Sequence, residues 1–334
     1  MKKANLKIAF RFTFIRFIFM IVSFTCLFLM VSCKKLDNAY NNSRLLNSLY
    51  VAYDSMFAEG VAKNIIVPNN DEANTIESVG AEGYIIASLD RKSSSFAKYH
   101  NPFMRMPMAS LTKLMTCLVV LENCKDLNEE YTVSDNAVNL EKNASNANLL
   151  SGDKVKVIDL LYGLMLPSGN DAAIVLAENL VGSYDNFILM MNNEAERLGA
   201  LNTHFANPHG LDADYHFTTP YDLLLITREL TKYDLFTQIS GSAEYEAEIE
   251  MFNGTTRKVK WINTNYFVTQ ELVLSSNVDL LGGKTGNTTS AGSCLVLYCK
   301  DKKNGIPYIS VVLNAKSKKN SYYNSNALLN AINN

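Results

Sequence analysis

Several chemistries are missing from this 334-residue chain. Its 6 cysteines form no Cys-x-x-Cys, which leaves a redox or zinc-knuckle role without support. Its 4 histidines, His100, His204, His209 and His216, form no His-Glu-x-x-His, so a zinc peptidase lacks its ligands. No Gly-x-Ser-x-Gly elbow occurs, which removes the usual α/β-hydrolase signal. An excess of positive charge is also absent: 31 basic residues face 33 acidic ones, for a formal net charge of −2. Five of the basic residues fall in the first 32 positions, where there is no acid; beyond them the balance is 26 against 33, or −7. A nucleic-acid binder would show the opposite sign, gathered in a patch, and that class is excluded. With only 7 Pro and 16 Gly, and 48% hydrophobic residues, the chain is neither collagen-like nor wholly disordered. It has ample apolar material for a sizeable core, in one large domain or two small ones.

Lys2, Lys3, Lys7, Arg11 and Arg16 precede the apolar run Phe17 to Val31, which only Ser23 and Thr25 interrupt. A charged stretch followed by such a run reads as a secretory signal, or as an uncleaved anchor at the lower limit of membrane-spanning length. The run ends Leu29-Met30-Val31-Ser32-Cys33, similar to a bacterial lipoprotein box with Cys33 as the lipidated residue, although Met30 stands where Leu is usual. A plain signal that happens to contain Cys33 is the alternative. Residues 1–33 are therefore read as a signal peptide or a membrane or lipid anchor. The rest is expected to work outside the cytoplasm, held at the outer face of the cytoplasmic membrane or secreted. Residues 34–75 read as a polar tether with one short helix, on which Leu46, Leu49, Tyr50, Tyr53 and Phe57 recur at helical spacing.

From residue 76 on, strand and helix patterns interleave. Gly83 to Leu89 reads as a strand, Asp90 to Ser94 as a turn and Phe96 to Tyr99 as the returning strand. Ser110 to Asn123 reads as a helix with Leu111, Leu114, Met115, Leu118 and Leu121 on one side. Val157–Leu166 is a helix closed by Pro167, followed by helices at Ala172–Leu180 and Phe187–Leu198, the latter ended by Gly199. Thr219-Pro220-Tyr221-Asp222 opens another, with Thr as cap and Pro in the first helical position. After Lys232 the chain is expected to turn to strands: a hairpin about Asn253-Gly254, then Leu280–Gly286, Ser293–Lys300 and Ile306–Leu313. Ser321–Ile332 is a closing helix. Strands at both ends with helices between predict one α/β (α+β) unit whose sheet joins the two ends of the domain. Cys117 and Cys124 lie about 10.5 Å apart on a helix and Cys294 and Cys299 are farther apart on a strand, so neither pair bridges internally; buried free thiols are expected, with a link between the two pairs as the alternative.

Three motifs carry candidate chemistry: Ser110-Leu-Thr-Lys113, Ser168-Gly169-Asn170 and Lys284-Thr285-Gly286. Each is weak alone. Ser95/Lys98 and Ser151/Lys154 repeat the first spacing, and Ser134-Asp135-Asn136 and Ser275-Ser276-Asn277 repeat the second. Context separates them. Ser95 and Lys98 fall in a predicted strand, where residues three apart point to opposite faces. Ser134 reads as an ordinary helix cap, and Ser151 as part of a turn. Ser110 opens an apolar helix, which places Lys113 on the same face within one turn. An amine there, flanked by Leu111, Leu114 and Met115, can be desolvated until it accepts a serine proton. Ser168 and Asn170, on a tight connection after Pro167, can reach a cleft together. Lys284 and Thr285, at the end of a predicted strand Asp279–Gly283, can grip a carboxylate by charge-assisted hydrogen bonds. Gly286 lets backbone come close.

Taken in order, these segments resemble the low-molecular-mass penicillin-binding proteins, the serine-type D-alanyl-D-alanine carboxypeptidases. Ala109 to Thr116 is similar to their nucleophile helix and Leu160 to Ala173 to their second motif. Asn207-Pro208-His209-Gly210-Leu211-Asp212, Thr219–Leu223 and Gly283–Asn287 with Ala291-Gly292 are similar to further family blocks. The resemblance spans about residues 76–315. It implies a β-lactamase/transpeptidase-like fold, with a five-stranded antiparallel sheet flanked by helices, an all-helical subdomain and the site between them, making 76–334 the penicillin-binding domain. It implies removal of the terminal D-Ala from peptidoglycan pentapeptide stems, with no metal or cofactor, and covalent inhibition by β-lactams. Ser110 would be the acyl-ester nucleophile, Lys113 the proton acceptor, Ser168 a proton relay and Asn170 an orienting group. Lys284, Thr285, Gly286 and Asn287 would bind substrate, with the amides of Ser110 and Asn287 as oxyanion hole. A D,D-endopeptidase on cross-links, or a non-catalytic β-lactam or muropeptide sensor, would use the same residues. A class A β-lactamase is disfavoured, since Glu196 stands five residues before Leu201-Asn202. His209 and His216 are expected to be structural.

Overall fold

The computed structural model describes residues 75–76, 78–89 and 98–333. The expected signal segment and its tether, the turn at 90–94 and Ser95 lie outside the described residues. Five strands, β1 (Gly83–Ser88), β2 (Lys98–His100), β7 (Val278–Thr288), β8 (Gly292–Asp301) and β9 (Pro307–Ala315), form an antiparallel sheet in the order β2-β1-β9-β8-β7. The strand nearest the start of the domain thus pairs with the last, Ile85 opposite Val311, as the alternation of helices and strands requires.

Every residue of β1 is buried, because both faces of the sheet are covered. Side chains alternate between two cores. Tyr84 and Ile86 join Leu295, Leu297 and Val312 beneath the closing helix α8 (Lys318–Asn330), whose Tyr322, Leu328 and Leu329 cover that face. Ile85 and Ala87 face the larger core, with Val296, Ile309 and Val311. That core is built around α1 (Thr112–Asn123), preceded by a single 3-10 turn, Ala109–Leu111. The first nine residues of α1 are all buried, Lys113 among them. A helix buried on all sides is a central element rather than a surface one.

Around α1 pack α3 (Val157–Met165), α4 (Asn170–Leu180), α5 (Tyr184–Leu198) and α6 (Pro220–Leu230), after a short α2 (Asp135–Val138). Thr219 caps α6 by accepting the Asp222 N–H at 3.0 Å, with Pro220 at its start, as the local sequence demands. Gly199 ends α5 with φ +79°. The chain does not turn directly to strands after Lys232: α7 (Asp234–Gly241) intervenes, burying Phe236 and Ile239. Two turns are too short for a strong helical period.

The subdomain expected to be all-helical also carries a four-stranded sheet, in the order β3-β4-β5-β6, of which the sequence disclosed only the β5–β6 hairpin. Its strands are β3 (Glu130–Thr132), β4 (Lys154–Lys156), β5 (Glu244–Glu250) and β6 (Thr256–Ile262). The expected hairpin is there, turning at Gly254 with φ +79°. Its inner positions, Ala247, Ile249, Val259 and Trp261, are buried, while Glu246–Lys258 and Glu244–Lys260 pair across the outer face at 2.8 and 2.7 Å. The exposed pairs add little stability. The four described cysteines are unbridged, Cys117, Cys294 and Cys299 being buried.

Trp261 ties this second sheet to the loop before the site. Its indole N–H donates to the Ala147 carbonyl at 2.8 Å, and Tyr245 stacks on Tyr162 of α3 with ring centroids 3.6 Å apart. Trp261→Phe keeps most of the buried area but strands a buried carbonyl. It should cost about 1–3 kcal/mol in urea unfolding with an unchanged m-value. An unshifted midpoint would show that the tie is idle.

Candidate active site

Ser110 sits in the 3-10 turn ahead of α1, and the residue before it, Ala109, is held at φ +48°. A non-glycine residue there is strained and persists only where its surroundings over-determine it. They do. The Thr112 hydroxyl donates to the Ala109 carbonyl at 2.8 Å, and His216 Nε2 lies 2.7 Å from the same hydroxyl. Because the Ala206 N–H donates to His216 Nδ1 at 3.0 Å, the imidazole proton is on Nε2 and points at Thr112. Burial lowers the His216 pKa to about 4, so the ring stays neutral. Gly210, at φ +93°, passes so close that any Cβ would overlap the Ala109 carbonyl. His216 is structural, as expected, and the structure it secures is the turn bearing Ser110.

Lys113 follows one turn later, 0% exposed. Its Nζ lies 2.7 Å from Asn170 Oδ1, 2.6 Å from the His209 carbonyl and 3.1 Å from Ser110 Oγ. The first two oxygens can only accept, so they hold two N–H bonds of the amine. In its neutral form the remaining lone pair faces the Ser110 hydroxyl. The neutral form is favoured: burial, and then the nearby Lys284 charge, hold the Lys113 pKa well below its ordinary value, with Asp171 opposing.

The second motif is a strained bend. Ser168 has φ +64°, and Asn170 is the first residue of α4. Between them Gly169 is required, since a Cβ there would sit 2.7 Å from Asp171 Oδ1 and 2.8 Å from the Gly163 carbonyl. The buried Asp171 carboxylate accepts from the Ala147 and Leu149 N–H groups and fixes the loop on that side.

The third motif differs from expectation in position. Lys284-Thr285-Gly286 lies within β7, which runs on to Thr288, and Lys284 is 1% exposed rather than at an open strand end. Its Nζ donates to Ser168 Oγ and to the Thr285 carbonyl, both at 2.9 Å, and burial lowers its pKa to about 7. The Thr285 hydroxyl, half-buried, pairs with that of Thr264 at 2.7 Å. Gly286 does allow a close approach, but of the turn that bears Ser110: its Cβ would lie 3.2 Å from Ser110 N and 3.1 Å from the Met108 carbonyl. Asn287 follows, its Oδ1 accepting from the Ser293 hydroxyl at 2.9 Å.

Ser110, Lys113 and Asn170 are thus joined in one hydrogen-bonded chain, Ser168 and Lys284 in a second, with Gly286 against Ser110. The repeated motifs are elsewhere. Ser134 caps α2 and donates to Glu178, and Lys154 of β4 pairs with Glu250 of β5. Ser275 accompanies Asn277 in a bonded loop. Sequence reasoning missed the His209 carbonyl, Asp171 and Thr264. His209 was visible in the block 207–212, where Asn207 Oδ1 gathers the Gly210 N–H at 2.7 Å and so turns that carbonyl toward α1.

The family model for D-alanyl-D-alanine carboxypeptidase matches residues 70–317. The chain belongs to the D-alanyl-D-alanine carboxypeptidase family. Among the carboxypeptidases it resembles, it is 32% identical over 235 residues to DacF of Bacillus subtilis and 35% identical over 260 residues to DacC of Escherichia coli K12. Those matches cover 69% and 75% of this chain but only 57% and 61% of the relatives, so the chain spans less than two thirds of their length. The crystal structure of the Streptomyces K15 DD-transpeptidase superposes with a TM-score of 0.69 at 30% identity, covering 76% of this chain and 97% of that one. The fold is the antiparallel-sheet and helix arrangement of these DD-peptidases.

Within this family site, Lys284 carries a stability cost. A lysine titrating near 7 when folded and 10.5 when unfolded destabilises the fold fully below pH 7 and not at all above about 10.5. At pH 7 the cost is about 4 kcal/mol, and its two hydrogen bonds return about 2. Lys284→Met should therefore raise unfolding stability by about 2 kcal/mol at pH 7, a gain that vanishes at about pH 9 and turns into a loss of up to about 2 kcal/mol above about pH 10.5, where only the lost hydrogen bonds count. A less stable variant at pH 7 would contradict this.

Proposed function

We propose that this chain is a serine D,D-carboxypeptidase that removes the terminal D-Ala of peptidoglycan pentapeptide stems through an acyl-enzyme on Ser110, the oxygen that β-lactams would also acylate. The observation that carries this reading is the Lys113 amine: two of its N–H bonds are committed to oxygens that cannot donate, and its third direction is Ser110. Neutral Lys113 takes the serine proton as Oγ attacks the penultimate carbonyl. Developing negative charge falls between the backbone N–H groups of Ser110 and Asn287. Ser168, held by Lys284, passes a proton to the departing D-Ala nitrogen, and Asn170 keeps Lys113 in line.

The free carboxylate of D-Ala meets the Thr285 hydroxyl, with the Lys284 amine nearby on the Thr285 carbonyl. The Lys284 ammonium spends two of its three N–H donors on Ser168 and the Thr285 carbonyl, which leaves the third for the substrate carboxylate. Water then enters against Lys113 and releases the acyl-enzyme. Transpeptidation is the second reading, because the K15 protein of matching fold is a DD-transpeptidase. It shares the acyl-enzyme and differs only in the acceptor.

Mass spectrometry of pentapeptide muropeptides, with and without a D-amino acid acceptor, separates these outcomes. Loss of one D-Ala with little exchange supports the carboxypeptidase. Cleaved cross-links would point to an endopeptidase, dominant exchange to a transpeptidase, and unchanged peptides to a sensor. Ser110→Ala should lose at least about 1,000-fold in acylation by benzylpenicillin, whereas Ser134→Ala should label normally. Retained labelling of Ser110→Ala would overturn the assignment.

Export, with retention at the outer face of the cytoplasmic membrane through Cys33 lipidation or an uncleaved N-terminal helix, completes the proposal. It rests on the charged and apolar N-terminal residues. Among the described residues no helix is long and apolar enough to cross a membrane. Cys33→Ala should release the protein if the anchor is a lipid; unchanged retention removes that option.

A further inference from the structure

The loop between β6 and β7 folds onto α8 and leaves a cavity of about 170 Å³ between them. Its walls are apolar: Phe267 and Leu272 of the loop, Tyr322 of the helix, and at the rim Val273 and Tyr323, both largely exposed. The space is preformed, because the loop is pinned to the helix around it. Asn326 donates to the Val273 carbonyl and accepts from the Ser275 N–H, both at 2.9 Å, and the Tyr322 hydroxyl accepts from the Tyr266 N–H at 2.9 Å. The charged group lining the space is Lys319, which is exposed and makes no ion pair among the described residues; its Nζ lies 5.4 Å from the Tyr323 ring centroid. The loop's one acid, Glu271, does not line the cavity and accepts from the Thr269 hydroxyl at 2.8 Å. An apolar cavity of about 150 Å³ takes one benzene ring. A space of this size with an unpaired ammonium beside it suits a single ring bearing one carboxylate.

One wall of this cavity is hydrogen-bonded toward the strand that binds substrate. The Tyr322 hydroxyl donates to the Thr264 carbonyl at 3.3 Å. Thr264 in turn donates its N–H to the Leu166 carbonyl at 3.0 Å, two residues before Ser168, and its hydroxyl pairs with that of Thr285 at 2.7 Å. The Tyr322 ring, met edge-on by Phe267 with centroids 4.8 Å apart, therefore stands between the cavity and the segments that carry Thr285 and Ser168.

We propose that this cavity is an effector site for a compact apolar ring carrying a single carboxylate, and that its occupancy strengthens substrate binding through Tyr322. A ring packed against Tyr322 restricts that side chain, and with it the Thr264 segment that its hydroxyl holds. The Thr285 hydroxyl is then kept where it meets the D-Ala carboxylate. Less ordering is left for the substrate to supply, so the two ligands bind with positive coupling. The effect falls on binding rather than on proton transfer, since the hydrogen bonds of Lys113 run to Ser110, Asn170 and His209 and not to Thr264. The inference rests on the reading of Thr285 as a carboxylate-binding residue.

The test uses cyclohexanecarboxylate as probe and its carboxamide as uncharged control, on the full protein. Calorimetry at low salt should show the acid binding about five-fold more tightly than the amide. Lys319→Gln should remove that difference, and Leu272→Trp, which fills the space, should abolish binding. Saturating acid should lower KM for the pentapeptide about three-fold with kcat unchanged, and slow amide exchange at Tyr266. Tyr322→Phe should keep the binding and lose the effect on KM. Equal binding of acid and amide, a difference unmoved by Lys319→Gln, binding retained by a folded Leu272→Trp, or binding without a change in KM would each overturn the proposal. A rising KM would place the acid on Thr285 and overturn it too, as would a dimer that excludes the probe, whose occupant is then a second copy of the chain. If no peptide is turned over, the carboxypeptidase reading fails by itself. Coupling is then read on benzylpenicillin acylation, which the acid should speed about three-fold at low penicillin and which, if unchanged, overturns the effector site.

Discussion

Keeping the Lys113 amine dry between two oxygens that can only accept is the constraint on which the rest of the site depends. A lysine in water is protonated at neutral pH and useless as a base. Removing water favours the neutral form, and Asn170 and the His209 carbonyl then decide where its lone pair points. Each neighbour has its own support. Asn170 is placed by the strained Ser168 and by Gly169, and the 207–212 turn by Asn207. The turn that bears Ser110, strained at Ala109, is locked by Thr112 and His216. Burying α1 on every side is what makes this possible, and it accounts for so apolar a helix carrying a lysine at its start.

A second buried amine makes the arrangement costly and useful. Lys284 lies close enough to depress Lys113 further, while its own pKa falls to about 7 through burial alone. Two lysines sharing a dry cleft cannot both be fully charged, so the pair supplies one base and one cation. Sites that tune titratable groups apart in this way trade folding stability for chemistry. The sheet bears that cost: β7 is anchored along its length to β8, with Lys284 opposite Val296.

Much of this was legible in the sequence. The i, i+3 placement of Ser110 and Lys113 on an apolar helix needs no coordinates, nor do the Thr219 cap and the Asn253-Gly254 hairpin. Literal matching alone would have chosen Ser134-Asp135-Asn136 over Ser168-Gly169-Asn170; the flanking apolar helices distinguish them. Other features had no signal. Strands β3 and β4 are three residues each, too short for a period of two to show. Gly282 and Gly283 read as a strand end, yet β7 runs through them. They are glycines because Ser240 and the Val296 carbonyl occupy the space a side chain would need. That misplacement put Lys284 at an open end when it is buried. The block 207–212 was legible, but not which of its backbone carbonyls would meet Lys113, because every residue has one and only the turn held by Asn207 selects that of His209.

Desolvation beside Lys284 favours a neutral Lys113 in the resting protein. A heteronuclear NMR titration of the lysine side chains in the full protein, with Lys113 assigned by substitution, tests it most directly. Lys113 should titrate well below the ordinary lysine value of 10.5 and move upward in Lys284→Met, because one cause of its depression has been removed. A Lys113 midpoint at the ordinary value, unmoved by that substitution, would contradict the account.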